Sequence, residues 1–162
     1  HDLTYQADSG LVNGLEMPAS LYADMGGSLF ATEAVLQALL LRQRPGRTQG
    51  KGVFHEVALC DASAYLALPR TWGLTVPSGD VGGAHAGYKV YPCKNGRVAL
   101  AALEPHFAVR LCEAAGLPKQ AATHMHKRST HEAIAKFLAL QTRAQLDKLA
   151  SSKDIPLHTL PR

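Results

Sequence analysis

The longest regular pattern of apolar residues in the chain lies between Asp24 and Gln43 and has the period of an α-helix. Apolar side chains recur there on one helical face: Met25, Leu29, Leu36 and Leu40. The alanines between them favour a helix, and Pro45-Gly46 predicts where it stops. We therefore expect a long helix over residues 24–43, with the Asp24 carboxylate near the unpaired N–H groups of its first turn.

The period changes to two between Val53 and Leu59, where the side chains fall into two alternating sets that predict a β-strand. Asp61 then predicts the start of a short helix, which Pro69 closes. The next stretch is rich in glycine and proline and has no period. It predicts a linker loop over residues 71–87.

The second half of the chain opens with the pattern of a β-hairpin, since Asn95-Gly96 separates two runs of β-forming residues. Glu104-Pro105 predicts the start of a helix. Sequences of the capping-box type predict two more helices, at Ser129-x-x-Glu132 and at Thr142-x-x-Gln145. We therefore expect an α+β (α/β) chain in which a helix–strand–helix segment over residues 1–70 precedes a small α+β domain over residues 88–162.

The composition of the chain excludes several classes of function. The chain has 162 residues, of which 46% are hydrophobic and 19% charged, as in globular proteins. No apolar run is long enough to span a membrane. The formal net charge is +4, but the basic residues are not interleaved with aromatic ones, so no nucleic-acid partner is expected. The 3 cysteines lie far apart, which is typical of reduced thiols in the cytoplasm.

The candidate chemistry rests on an imidazole and two carboxylates. His1 begins the sequence His-Asp-x-x-Tyr, Asp24 precedes Met-Gly-Gly-Ser, and Glu104 joins the predicted hairpin to a helix. Each also has an ordinary explanation, because carboxylates are common at helix ends and a terminal histidine is commonly solvated. The histidines near residue 126 lack an acidic or cysteine partner in the sequence, so no metal site is predicted.

A series of short motifs in a fixed order favours a catalytic role for these three residues over the ordinary explanations. The motifs are His-Asp-x-x-Tyr at residues 1–5, Ala-Asp-Met-Gly-Gly-Ser at 23–28, the segment 50–61, Val-Gly-Gly at 81–83 with Tyr-Lys-Val-Tyr at 88–91, Asn-Gly-Arg at 95–97, and Leu-Glu-Pro-His-Phe at 103–107. The series resembles the family III CoA-transferases (the CaiB/BaiF group), and most of all their α-methylacyl-CoA racemase branch. The likeness extends over nearly the whole chain.

The resemblance implies a two-domain fold with a large Rossmann-like domain, a smaller α+β domain and an interlocked homodimer. It also implies an acyl-CoA thioester as the substrate, with no covalently bound cofactor. The N-terminal Rossmann portion of the family is not found in this sequence. We therefore expect a central fragment that turns over little substrate on its own and self-associates through surface left by the missing segments.

The resemblance also assigns roles to residues. In a racemase, His1 and Asp24 would flank the α-carbon of the thioester and Glu104 would assist the histidine. The remaining positions would contact the substrate: Tyr5, Gly26, Gly27, Gly82, Gly83 and Tyr88. Gly26 and Gly27, at the start of the expected helix, would offer N–H groups to the enolate oxygen.

Two other functions stay open. In a CoA-transferase of the family, the carboxylate of Asp24 would instead be the nucleophile that forms an acyl-enzyme. The chain would otherwise be an inactive binding or interaction module that has kept the fold.

Overall fold

The structure is a computed structural model that describes residues 1–43 and 52–162. They form two compact units, His1–Trp72 and Gly73–Arg162. The described part of the first unit contains helices and loops, whereas the second combines helices with a three-stranded sheet. The expected α+β class is confirmed. No helix among the described residues is both long enough and apolar enough to cross a membrane.

The first unit contains helices of very different length. They are α1 (Asp2–Asp8), α2 (Tyr22–Arg42), α3 (Leu59–Leu66) and α4 (Leu68–Thr71). The long helix predicted from the apolar period is confirmed, although it begins at Tyr22 rather than Asp24. Its predicted stop at Pro45-Gly46 lies outside the described residues.

The predicted strand over Val53–Leu59 is wrong. Residues 52–58 have no regular secondary structure, and Leu59 is the first residue of α3. A strand needs a neighbouring strand for its hydrogen bonds, and the described part of this unit has none. Pro69 also differs from expectation, because it lies in the first turn of α4, where its missing N–H group costs no hydrogen bond.

The helices of the first unit pack through small side chains. Gly26 and Gly27 of α2 and Ala62 of α3 are buried where these two helices meet. The buried Ser63 hydroxyl donates to the Tyr5 carbonyl at 3.1 Å and so ties α3 to α1. Such contacts allow close approach of the helices but bury little apolar surface.

The sheet of the second unit consists of β1 (Tyr88–Cys93), β2 (Gly96–Ala101) and β3 (Leu157–Leu160), in that order and antiparallel throughout. The predicted hairpin is confirmed, with Cys93 paired to Gly96, so that the turn is Lys94-Asn95. The Asn95 side chain accepts a hydrogen bond from the Arg143 N–H at 2.8 Å. The sequence analysis missed β3.

The longer helices of the second unit are α5 (Pro105–Ala114), α6 (Arg128–Ala139) and α7 (Arg143–Lys153). Pro105 starts α5 as expected, and Thr142 and Gln145 form the predicted capping box. The box predicted at Ser129 is wrong, because α6 begins at Arg128 and Lys127 occupies the N-cap position. Short 3-10 helices cover Asp80–Gly82 and Lys119–His124.

Large apolar side chains form the core of the second unit between the sheet and its helices. The most deeply buried include Val98, Leu111, Met125, Ile134, Leu138 and Leu146. The boundary between the units falls at Trp72–Gly73, so residues 73–87 belong to the second unit instead of forming a separate linker. The Ala86 N–H, for example, donates to the Met125 carbonyl at 2.9 Å.

Candidate active site

The N-terminal ends of α1 and α2 meet through a buried carboxylate. The Asp24 backbone N–H donates to Asp2 Oδ1 at 3.0 Å, and the Gln6 side-chain amide donates to Asp2 Oδ2. Gln6 also donates to the carbonyl of Ser20, just before α2, at 3.0 Å. The residue that follows His1 is therefore bound directly to the backbone of Asp24.

His1 and Asp24 are both exposed at this junction. His1 occupies the N-cap position of α1, and the Thr4 hydroxyl donates to its carbonyl at 2.7 Å. Asp24 is the third residue of α2, in the turn whose N–H groups lack intrahelical acceptors. Tyr5 lies one turn along α1 and is half-buried. The structure thus places the backbones of His1 and Asp24 at the same helix junction.

The expectation that Gly26 and Gly27 offer free N–H groups is wrong. Because α2 begins at Tyr22, both glycines lie beyond its first turn, where each N–H bonds to the carbonyl four residues earlier. Their function in the structure is close packing. A Cβ at Gly26 would lie 3.0 Å from the Leu66 side chain, and one at Gly27 would lie 2.3 Å from Leu59 Cδ2.

Glu104, Gly82, Gly83 and Tyr88 belong to the second unit. Glu104 is exposed at the N-cap position of α5. Gly83 adopts a left-handed φ of 104° and ends the 3-10 helix Asp80–Gly82, and Tyr88 is the half-buried first residue of β1. Their joint role with His1 and Asp24 stays a prediction.

The glycine-rich segment of the second unit is held in place by histidines. His126 Nε2 lies 2.6 Å from Asp80 Oδ1, and His131 Nε2 lies 2.9 Å from the Ala84 carbonyl oxygen. His85 Nδ1 accepts from the Gly87 N–H at 3.1 Å. The contacts of His126 and His131 join residues more than forty positions apart in the sequence, so no local pattern could predict them. No group of three or more potential ligands among the described residues is arranged to hold a metal ion.

Burial changes the titration of His85. Desolvation lowers its pKa from 6.5, and the nearby His126 and His131 act in the same direction, whereas Asp80 opposes the shift. In the neutral ring, Nδ1 has a lone pair for the Gly87 N–H. Protonation would place one donor against another.

Each unit also has an open, mainly apolar groove. The groove of the first unit, about 390 Å³, lies between α2 and residues 52–57, with Val35, Leu39 and Val53 in its lining. The groove of the second unit, about 470 Å³, lies on the sheet and includes Tyr88. Neither groove is lined by His1, Asp24 or Glu104.

Comparisons with known proteins agree with the fold. Residues 1–161 match the sequence model of CoA-transferase family III. The solved structure of the hypothetical protein Rv3272 from Mycobacterium tuberculosis is similar at a TM-score of 0.74 and 18% identity, over 97% of this chain and 46% of that one. The structure of a mutant of Rv3272 has a TM-score of 0.74 and 17% identity, over 100% of this chain and 46% of that one. An orthorhombic form of Rv3272 has a TM-score of 0.71 and 19% identity, over 97% of this chain and 45% of that one. This chain therefore spans less than half the length of these structures, and the likeness concerns the fold.

Proposed function

Because this chain belongs to CoA-transferase family III, we propose that it is part of an acyl-CoA-processing enzyme that inverts the α-carbon of a 2-methylacyl-CoA thioester. The substrate is a small-molecule acyl-CoA, and the reaction needs no covalently bound cofactor. The observation that carries the proposal is the junction of α1 and α2, where His1 and Asp24 are exposed at helix ends joined by the Asp2 carboxylate.

The reaction requires a proton to leave one face of the α-carbon and another to arrive on the opposite face. Neutral His1 takes the α-proton of one enantiomer, and the electron pair of the broken C–H bond moves into the thioester as an enolate. Protonated Asp24 then delivers a proton to the other face. The reverse direction uses the same two groups with their protonation states exchanged, so no oxidant or reductant is involved.

Negative charge on the enolate oxygen needs compensation. Since Gly26 and Gly27 lie beyond the first turn of α2, they do not supply it through free N–H groups. The positive end of the helix dipole lies at residues 22–24 and favours an anion there. The likeness of the chain to the family assigns Glu104 the role of assisting His1. It assigns the binding of the thioester to Tyr5, Gly82, Gly83 and Tyr88.

Exchange of the α-proton for solvent deuterium tests the two-base mechanism. The assay uses each enantiomer of a 2-methylacyl-CoA separately, with the longest natural polypeptide that carries this chain. We expect His1→Gln and Asp24→Asn each to lose roughly 10²- to 10⁴-fold in exchange from one enantiomer and to retain exchange from the other. Equal loss from both enantiomers in each variant would contradict two bases on opposite faces.

Asp61→Asn is the matched control. Asp61 is an exposed carboxylate at the third position of α3, as Asp24 is in α2. The control should exchange both enantiomers at the unmodified rate, because a general effect of removing a helix-end charge would appear in it as well.

The exposed Asp24 carboxylate also suits the alternative reaction, transfer of CoA between carboxylic acids. There the carboxylate attacks the thioester carbonyl and expels the CoA thiolate, which leaves an anhydride on Asp24. In a transferase, hydroxylamine added during turnover would attack the Asp24 carbonyl of this anhydride, release the substrate acyl group as a carboxylate and leave a hydroxamate on Asp24. It would trap nothing in a racemase, so mass spectrometry of the peptide around Asp24 separates the two reactions.

The exposed apolar face of α2 supports further contacts with protein. Leu29, Leu36 and Leu40 are all exposed in the described structure. We expect them to be covered in the assembled enzyme, either by a second copy in a homodimer or by segments beyond this chain, so the chain alone turns over little substrate and self-associates. The free thiols of Cys60, Cys93 and Cys112 are consistent with a cytoplasmic location.

A further inference from the structure

The first turn of α2 is capped from another helix. Its N-cap residue, Leu21, has no side-chain oxygen and makes no capping hydrogen bond. An N-cap side chain ordinarily accepts from the N–H of the second or third helical residue. Here Asp2 Oδ1 accepts the N–H of the third residue, Asp24, at 3.0 Å.

The surroundings of Asp2 require a carboxylate at this position. Its side chain faces two N–H donors, the backbone of Asp24 and the amide of Gln6, with one oxygen for each. An asparagine has a single side-chain oxygen and would turn its NH₂ group toward one of these donors. Asp2 is 7% exposed and Gln6 is 1% exposed, so water offers little replacement for a lost acceptor.

The same network fixes the chain as it enters α2. Gln6 bridges Asp2 to the Ser20 carbonyl, which precedes the helix, while Asp2 binds within the first turn. A negative charge at this end of α2 is also favoured by the helix dipole. The position of Asp24 relative to α1 is therefore set by a side chain that is itself buried.

We propose that Asp2 is a positioning residue, whose carboxylate holds the first turn of α2 so that Asp24 faces the substrate from a fixed place beside His1. This role rests on the proposed function, in which Asp24 is one of two bases. Asp2 itself touches no substrate. Its effect on the reaction passes through the backbone of Asp24.

The hydrogen bond is tested first, by amide hydrogen exchange in the chain itself. In Asp2→Ala, the Asp24 amide should exchange about fivefold to tenfold faster, as expected for the loss of one hydrogen bond. The Met25 amide, bonded to the Leu21 carbonyl at 2.9 Å, serves as the internal reference and should change much less. Unchanged exchange at Asp24 would overturn the proposal.

Two further variants separate a local effect from misfolding. Asp2→Asn keeps one acceptor oxygen and should give exchange at Asp24 between those of the unmodified chain and Asp2→Ala. Asp8→Ala removes an exposed carboxylate from the other end of α1 and should leave the Asp24 amide unchanged. Equal acceleration of the Asp24 and Met25 amides in Asp2→Asn would mean general loosening, which contradicts a positioning role.

The reaction is tested by the ratio of deuterium exchange from the two enantiomers in the longest natural polypeptide. A loss of folded protein lowers both rates equally, whereas a displaced Asp24 lowers only the rate of the enantiomer that needs it. Asp2→Asn should shift the ratio roughly tenfold, since small displacements of a reacting group cost at least this much. An unchanged ratio in a variant with accelerated Asp24 amide exchange would overturn the positioning role.

The two proposals fail in different ways. If the unmodified polypeptide exchanges neither enantiomer, the proposed function is wrong, and the amide measurement alone decides whether Asp2 holds α2. If it exchanges both enantiomers and Asp2→Asn keeps their ratio, the function stands and the role of Asp2 is wrong.

Discussion

The two units of the molecule are stabilised in different ways. The second unit buries large apolar side chains, such as Leu111, Ile134 and Leu146, between its sheet and helices. The first unit buries mainly small or polar side chains, such as Ala23, Ala62 and Gln6, and leaves most leucines of α2 exposed. The second unit has its own hydrophobic core, whereas the described part of the first depends on close helix contacts and buried hydrogen bonds.

This difference follows from what each kind of contact contributes. Burial of apolar surface is worth about 25 cal/mol per Å², so large side chains dominate stability. Glycine and alanine contribute little apolar area, although they let helices approach closely. The candidate catalytic residues His1 and Asp24 thus lie in the unit that buries less apolar surface. Their positions therefore depend more on the hydrogen bonds of buried polar groups such as Asp2.

The largest expected difference between the units is in the free energy of unfolding that is lost when a helical leucine is replaced by alanine. Leu111 of α5 is 0% exposed, and Leu36 of α2 is 56% exposed. Leu111→Ala should lower the free energy of unfolding by about 2–5 kcal/mol, because it removes apolar contacts and leaves a cavity. Leu36→Ala should change it by less than about 0.5 kcal/mol, as at other surface positions.

Chemical denaturation of both variants, followed by near-ultraviolet circular dichroism and by tryptophan fluorescence at Trp72, measures this difference. A large loss of stability in Leu36→Ala at protein concentrations where the chain is monomeric would show that α2 is already covered within the chain. The contrast between the units would then be wrong.

Two glycines with equally close neighbours sharpen the comparison. A Cβ at Gly96 would lie 2.3 Å from the Leu160 carbonyl oxygen of β3, and a Cβ at Gly27 would lie 2.3 Å from Leu59 Cδ2. The carbonyl is fixed by the sheet, whereas the leucine tip can rotate away. Gly96→Ala should therefore destabilise the second unit by about 1–3 kcal/mol.

Gly27→Ala should be close to neutral. The gain in helix propensity, about 0.8–1 kcal/mol, offsets the rearrangement of Leu59. Thermal unfolding of the two variants, compared with that of the unmodified chain, gives the order. A loss in Gly27→Ala as large as in Gly96→Ala would mean that the contact of α2 with α3 is as rigid as the sheet.

Local signals accounted for the parts of the fold that the sequence predicted correctly. The apolar period of α2, the hairpin predicted from Asn95-Gly96 and the Thr142 capping box each depend on residues within a few positions of one another. By contrast, β3 exists because Leu157–Leu160 pairs with β2, which lies more than fifty residues earlier. Alternation over Val53–Leu59 predicted a strand where the described unit offers no strand to pair with.

The candidate site shows the same limit. His1 and Asp24 could be selected from motifs, but the contact that joins their helices is made by Asp2, whose partner lies in another helix. A sequence pattern also could not show that α2 begins at Tyr22, a shift that places Gly26 and Gly27 beyond the first turn. Errors of one or two residues at a helix end thus decide which N–H groups are free.

The smallest predicted effect concerns pH and the second unit alone. Burial lowers the pKa of His85 below its ordinary value of 6.5, chiefly by desolvation. The unfolded chain therefore binds a proton at higher pH than the folded chain does. The contribution of neutral His85 to the free energy of unfolding is present above pH 6.5 and is lost as the pH falls below it toward the folded pKa.

His85→Asn isolates this contribution. An asparagine oxygen can accept from the N–H two residues later, as His85 Nδ1 does from Gly87, but it does not titrate. The free energy of unfolding of the variant should fall less steeply below pH 6.5 than that of the unmodified chain. His55→Asn, at an exposed position of the first unit, is the control for the loss of a histidine elsewhere in the chain. The contact between His126 and Asp80 is kept in all three proteins, so the difference between the variants assigns the slope to His85. An identical slope in all three proteins would mean that burial of His85 does not govern the acid stability of this unit.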